Sequence, residues 1–130
     1  MEGNISTVLI VDIDDSFRTV LRTLFEQGGD FDFCIEAASG AEAIDKARHL
    51  LPHLAILDFS LPEMNGLQLA QELREFMPRL PIFLLTADRN LDSEKEALSC
   101  GVNAVFSKLD DLEALLANAR AVCGIKRGGA

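Results

Sequence analysis

Five short apolar runs, at residues 8–11, 33–37, 54–57, 82–85 and 104–106, alternate along the chain with stretches of helical spacing. This alternation constrains the fold more than any other feature. Strands that are each followed by a helix lie parallel, joined by right-handed crossovers, with helices covering both faces of the sheet. The runs at 8–11, 54–57 and 82–85 are apolar at every position, as expected of parallel strands buried on both sides. Phe33-Cys34-Ile35-Glu36 is mixed and reads as an edge. The expectation is an α/β fold with a doubly wound parallel sheet of five strands.

The helical stretches carry their own punctuation. Phe17, Val20, Leu21, Leu24 and Phe25 recur at i, i+3, i+4, i+7 and i+8, and the pattern stops at Gly28-Gly29. Ala43, Ile44, Ala47 and Leu51 mark a second helix ending at Pro52, and Leu69, Leu73 and Phe76 a third ending before Pro78. Residues 91–100 form a weaker helix closed by Gly101, and Leu112, Leu115, Leu116, Ala119 and Val122 make a strong last one. Met64-Asn65-Gly66 reads as a loop leading into a helix start. Residues 1–123 are expected to form one domain, with 124–130 a flexible tail or the start of a linker. A length of 130 residues has no room for a second domain of ordinary size.

Charge and composition narrow the function. With 21 Asp plus Glu against 12 Lys plus Arg, the net charge is −9, which repels a nucleic-acid backbone. No apolar run approaches the roughly 20 residues of a membrane span, and the start Met1-Glu2-Gly3-Asn4 lacks a secretory signal, so a cytoplasmic protein is expected. Cys34, Cys100 and Cys123 have neither disulfide nor zinc spacing and are expected to be buried thiols. His49 and His53 are separated by Pro52 and are expected to cap a helix C-terminus instead of sharing a metal.

In open α/β sheets, ligands bind outside the carboxyl ends of the strands. The residues there are Asp12-Ile13-Asp14-Asp15 after the first strand, Asp58 after the third, Thr86 after the fourth and Lys108 near the end of the fifth. Asp14 or Asp15, just before the first helix, fits an N-cap. Asp12 and Asp58 would be costly at the mouth of a buried sheet unless paired. A hard cation such as Mg2+ neutralises such a pair and leaves positions for phosphate oxygens. A carboxylate can then serve as nucleophile and become an aspartyl phosphate, with Lys108 and Thr86 meeting two of the phosphoryl oxygens.

These residues resemble the receiver domain of bacterial two-component response regulators. The resemblance rests on Val8-Leu9-Ile10-Val11-Asp12, on Leu57-Asp58-Phe59-Ser60-Leu61-Pro62-Glu63-Met64-Asn65-Gly66, on Leu84-Leu85-Thr86-Ala87 and on Phe106-Ser107-Lys108, in the family's order and spacing. Within the family, it is closest to receivers of helix-turn-helix transcriptional regulators. It implies a flavodoxin-like (βα)5 fold with strand order 2-1-3-4-5. It implies that Asp58 accepts a phosphoryl group from a sensor histidine kinase or phosphotransfer protein. Asp12, Asp58 and the main-chain carbonyl of Ser60 would hold Mg2+. Thr86 and Lys108 would relay the change to the surface of the fourth helix, fifth strand and fifth helix, where an output domain, an effector protein or a second copy would bind. Such a domain is no enzyme beyond its own phosphorylation and dephosphorylation.

Three positions depart from the family's pattern. Ile13 stands where a second acid usually helps hold the metal, so Mg2+ binding is expected to be weakened unless Asp14 substitutes. Val105 stands where an aromatic side chain usually couples to Thr86, and Leu109 replaces a proline often found after the lysine, removing an expected cis peptide. Other readings use the same residues. A pseudo-receiver would bind partners without phosphorylation. A haloacid-dehalogenase-like phosphatase would use Asp12 as nucleophile and Asp14 as acid, but leaves Asp58 unexplained. A flavin-binding role has neither a phosphate loop after the first strand nor a Trp or Tyr to stack the ring.

Overall fold

The computed structural model describes residues 6–27, 29–88, 90–109 and 111–124. Among them, strands β1 (Thr7–Val11), β2 (Phe33–Ala37), β3 (Leu54–Asp58), β4 (Ile82–Thr86) and β5 (Ala104–Ser107) alternate with helices α1 (Asp15–Gln27), α2 (Gly40–Leu50), α3 (Gly66–Phe76), α4 (Leu91–Ser99) and α5 (Leu112–Val122). The strands pair in parallel in the order β2-β1-β3-β4-β5, as expected, with β2 an edge.

The fully apolar runs are divided by the period of two along each strand. Leu9, Val11, Ala55, Leu57, Ile82 and Leu84 pack with Ala43 and Ala47 of α2, Leu69, Ala70 and Leu73 of α3 and Ala97 of α4. Val8, Ile10, Leu54, Ile56, Phe83, Leu85 and Phe106 pack on the opposite face with Leu21 and Phe25 of α1 and Leu115 and Ala119 of α5. The sheet is thus the partition between two cores.

The helix ends follow their chemistry. Asp14 caps α1, its Oδ1 accepting from the N–H groups of Ser16 (2.9 Å) and Phe17 (3.3 Å). Asn65 and Gln68 form a reciprocal capping box at α3, so the loop expected at Met64-Asn65-Gly66 is also a built helix start. Helix α2 closes on Leu51 in the left-handed region, at φ 48°, immediately before Pro52.

Several details differ from expectation. β3 and β4 include Asp58 and Thr86 and do not stop before them, because the backbone ladder continues beneath polar side chains: Asp58 pairs with Leu85 and Thr86 with Ser107. His49 does contact a carbonyl of its own helix, Asp45 O at 2.8 Å, but His53 is no cap: its Nδ1 accepts the Thr7 N–H at 3.0 Å and ties the start of β1 to the start of β3. The three cysteines are free and half-buried, not buried, and burial pushes the Cys34 thiol up to about 12. The proposed tail beyond Gly124 and residue Asp110 lie outside the described residues.

One arginine staples the end of the sheet opposite the acidic loops. Arg74, from the last turn of α3, donates to the carbonyls of Pro78 (3.0 Å), Leu80 and Gly101 (2.7 Å) and to the Asn103 side chain (3.3 Å). Asn103 in turn accepts the Ile82 N–H at 2.8 Å. The loops entering β4 and β5 are therefore held by one guanidinium, whose pKa burial lowers.

Candidate functional site

Register places the acids. Val11 of β1 lies opposite Leu57 of β3, so Asp12 and Asp58, the next residue on each central strand, emerge side by side. Asp12 is 1% exposed and Asp58 5%. Lys108 follows Ser107 on the edge strand β5, and its side chain reaches past the end of β4 to both acids: Nζ lies 2.7 Å from Asp12 Oδ2 and 3.5 Å from Asp58 Oδ2. Three residues separated by up to 96 positions therefore meet at one point.

Each carboxylate has a second, main-chain partner. Asp12 Oδ1 accepts the Asp14 N–H at 2.9 Å, and Asp58 Oδ1 accepts the Ser60 N–H at 3.4 Å. The loop after Asp58 is pinned beneath it, since Gly66 donates to Phe59 O at 2.8 Å. A Cβ on Gly66 would stand 2.6 Å from Asp58 O, so only glycine permits this approach.

Among the described residues, the electrostatics follow from two acids sharing one base. Burial raises the Asp58 pKa, the Asp12 charge raises it further, and Lys108 opposes both. Burial alone would lower the Lys108 pKa, but its hydrogen bond to Asp12 and the charges of both acids outweigh that and raise it. The site thus holds an excess of negative charge at a nearly dry sheet edge.

The other expected residues are placed as follows. The Thr86 hydroxyl stands at the same rim but is bonded to Asp88, accepting its N–H and facing its carbonyl, both at 3.3 Å. Thr86, Phe59 and Val105 line a small cavity of about 70 Å³ with Leu84, Asp88, Asn90, Ser93 and Glu94. Ile13 is 57% exposed, and one Asp14 oxygen is committed to the α1 cap. After Lys108, no described peptide bond is cis; Ser107 Oγ accepts the Leu109 N–H and the Asp111 carboxylate accepts the Ser107 N–H.

Two residues at the site were read from sequence only as part of a helix. The Lys108 ammonium lies 4.4 Å from the ring centroid of Phe17. Arg18 donates to the Asp12 carbonyl and to the Asp15 carboxylate, and its Nε to Glu36 at 3.0 Å, tying the acidic loop to β2. Their position in the first turn after an acidic loop was the available signal.

Adjacent acids closing central parallel strands, with a lysine from the edge strand between them, match a known arrangement. The sequence profile of the response regulator receiver domain matches residues 8–120. The chain belongs to that family. This receiver domain is 39% identical over 106 residues to a protein-glutamate methylesterase/protein-glutamine glutaminase of Paramagnetospirillum magneticum, covering 82% of this chain and 29% of that protein. It is 33% identical over 111 residues to the regulatory protein AtoC of Escherichia coli, covering 85% of this chain and 24% of that one. The chain spans between 24% and 56% of the length of the first curated relatives it matches. The fold superposes on the receiver domain of Francisella response regulator 1452 with a TM-score of 0.84 at 23% identity, covering 92% of this chain and 97% of that one.

Receiver domains are signalling switches of two-component systems that work with histidine kinases and output effector domains and bind Mg2+ at their acidic site. The donor set here fits a hard cation in part. Asp12 and Asp58 offer carboxylate oxygens, the type Mg2+ takes. Among the described residues no group of three His, Cys, Asp or Glu side chains is assembled to hold a metal. No described helix is long and apolar enough to cross a membrane.

Proposed function

We propose that Asp58 is the phosphoacceptor, taking a phosphoryl group from a phosphohistidine on a sensor kinase or phosphotransfer protein. The observation that carries this reading is the excess negative charge at Asp58. A buried acid whose one close cation among the described residues is shared with Asp12 is poised to accept a partner that brings compensating charge.

A carboxylate oxygen of Asp58 attacks phosphorus, the bond from phosphorus to the imidazole nitrogen breaks, and the imidazole departs with the electron pair. Lys108 meets the developing charge on the phosphoryl oxygens. Thr86 leaves Asp88 to donate to another of them, and its departure alters the cavity beside α4. The altered surface of α4, β5 and α5 would then bind an output domain, an effector or a second copy. Asp12, Asp58 and the Ser60 carbonyl would hold Mg2+, which would supply charge neutralisation at the acidic site. Ile13 contributes no ligand and Asp14 caps the helix, so the affinity of this set for the ion would be weakened. Hydrolysis of the aspartyl phosphate restores the starting state, the only turnover the domain carries out. The action is read as cytoplasmic, as is typical of response regulators. Residues 1–123 form the receiver unit, with 124–130 a tail or the start of a linker.

Intact mass after incubation with acetyl phosphate tests this. One phosphoryl adduct on the wild type and none on Asp58→Asn is expected. Ile13→Asp lowers the Mg2+ concentration for half-maximal uptake by about tenfold, since ligand charge count sets the affinity of such sites. Absence of an adduct from both acetyl phosphate and a phosphohistidine donor overturns the reading.

A further inference from the structure

The geometry points to Phe17 as a positioning residue for Lys108, its ring fixing the ammonium between Asp12 and Asp58. This rests on the reading of Lys108 as the group that meets the phosphoryl oxygens.

A lysine ammonium sits on a stem of four rotatable bonds, so backbone geometry alone does not place it. Here the two acids do not grip it equally: Asp12 lies 2.7 Å away and Asp58 3.5 Å. With only these partners, the closer acid would hold the ammonium away from the acceptor. The Phe17 ring, its centroid 4.4 Å from Nζ, presents the negative face of its quadrupole on a third side.

The ring is itself held. Phe17 packs against the core beneath α1 and α5, and its N–H is bound by the Asp14 carboxylate that caps α1. Asp14 donates its own N–H to Asp12. One loop therefore contacts Lys108 twice, through the Asp12 carboxylate at its start and the Phe17 ring just after it. A ring face makes no hydrogen bond, so this contact does not compete with the ammonium's exchange of one oxygen partner for another. As charge arrives on Asp58, the ammonium can leave Asp12 for the new oxygens while pivoting on the same ring face.

The test combines substitution with a double-mutant cycle. Phe17→Leu keeps apolar bulk without the ring, and Phe17→Tyr keeps the ring. Phosphoryl uptake from acetyl phosphate is expected to slow about fivefold to tenfold in Phe17→Leu, the scale of one partly buried cation–π contact, and to be restored in Phe17→Tyr. In a Lys108→Ala background, Phe17→Leu should have no further effect on uptake, and should lower the thermal unfolding midpoint by less than it does in the wild type, the remainder being lost core packing. By NMR, the Lys108 ε-methylene protons should lie upfield in the wild type and lose that ring-current shift in Phe17→Leu.

Unchanged uptake in Phe17→Leu, or the same proportional loss with and without Lys108, overturns the proposal while leaving Asp58 as acceptor. If the wild type takes up no phosphoryl group, the functional reading fails. The unfolding cycle and the ε-methylene shift then decide the positioning role: coupling together with the shift upholds it, and loss of either overturns it.

Discussion

Asp58 bears a charge that its surroundings resist. Burial and the Asp12 carboxylate both raise its pKa, so the folded protein takes up a proton more readily than the unfolded chain. Stability therefore falls as pH rises from the ordinary carboxylate range through the raised pKa, and the penalty is complete above it. Asp58→Asn removes it: in urea, the substituted protein should unfold at a higher midpoint at pH 7 with an unchanged slope, and the gain should shrink as pH is lowered toward 4. An acceptor whose replacement stabilises the fold is one retained for its chemistry. Asp12, Asp58, Thr86 and Lys108 were legible in the sequence because each ends or follows a strand, and strand ends converge on one rim whatever the side-chain details. Phe17 and Arg18 were not. Phe17 falls in the apolar stripe of α1, and its second role depends on a lysine arriving from the far edge of the sheet, which local spacing does not reveal.

Strands and helix C-termini were legible to within one or two residues, the helix ends because they are chemically marked: Gly29 after α1, Pro52 after α2 and Pro78 after α3. Strand order was not contained in the apolar runs and came from the family resemblance, because β1, β3 and β4 have the same character and nothing local ranks their neighbours. At α3 the capping box does more than start a helix. Asn65 N–H is held by Gln68 Oε1 and Gln68 N–H by Asn65 Oδ1, both at 2.9 Å, and this fixes the far end of the loop that begins at Asp58. Asn65→Ala should cost about 1 kcal/mol, measured by thermal or urea unfolding.

Across the whole molecule, the two cores are unequally shared among the helices. Among the described side chains of α4, only Ala97 is buried, whereas α3 buries Leu67, Leu69, Ala70 and Leu73. Local opening free energy follows buried apolar contact, so native-state hydrogen exchange should show α4 amides exchanging at lower protection than those of β1, β3 and α3. Exchange of α4 only with global unfolding would contradict this. By its described side chains, the helix that borders the Thr86 cavity is thereby lightly committed to the fold. The Arg74 staple acts at the other end of the same helix, where Gly101 follows it. Its partners are carbonyl dipoles and an amide. Dissolved ions screen the attraction between exposed opposite charges but have little hold on a guanidinium bonded to the main chain. In concentrated brine, the half-exposed Arg22 to Glu36 pair should weaken while the Arg74 end stays shut, leaving a molecule that softens away from its staple.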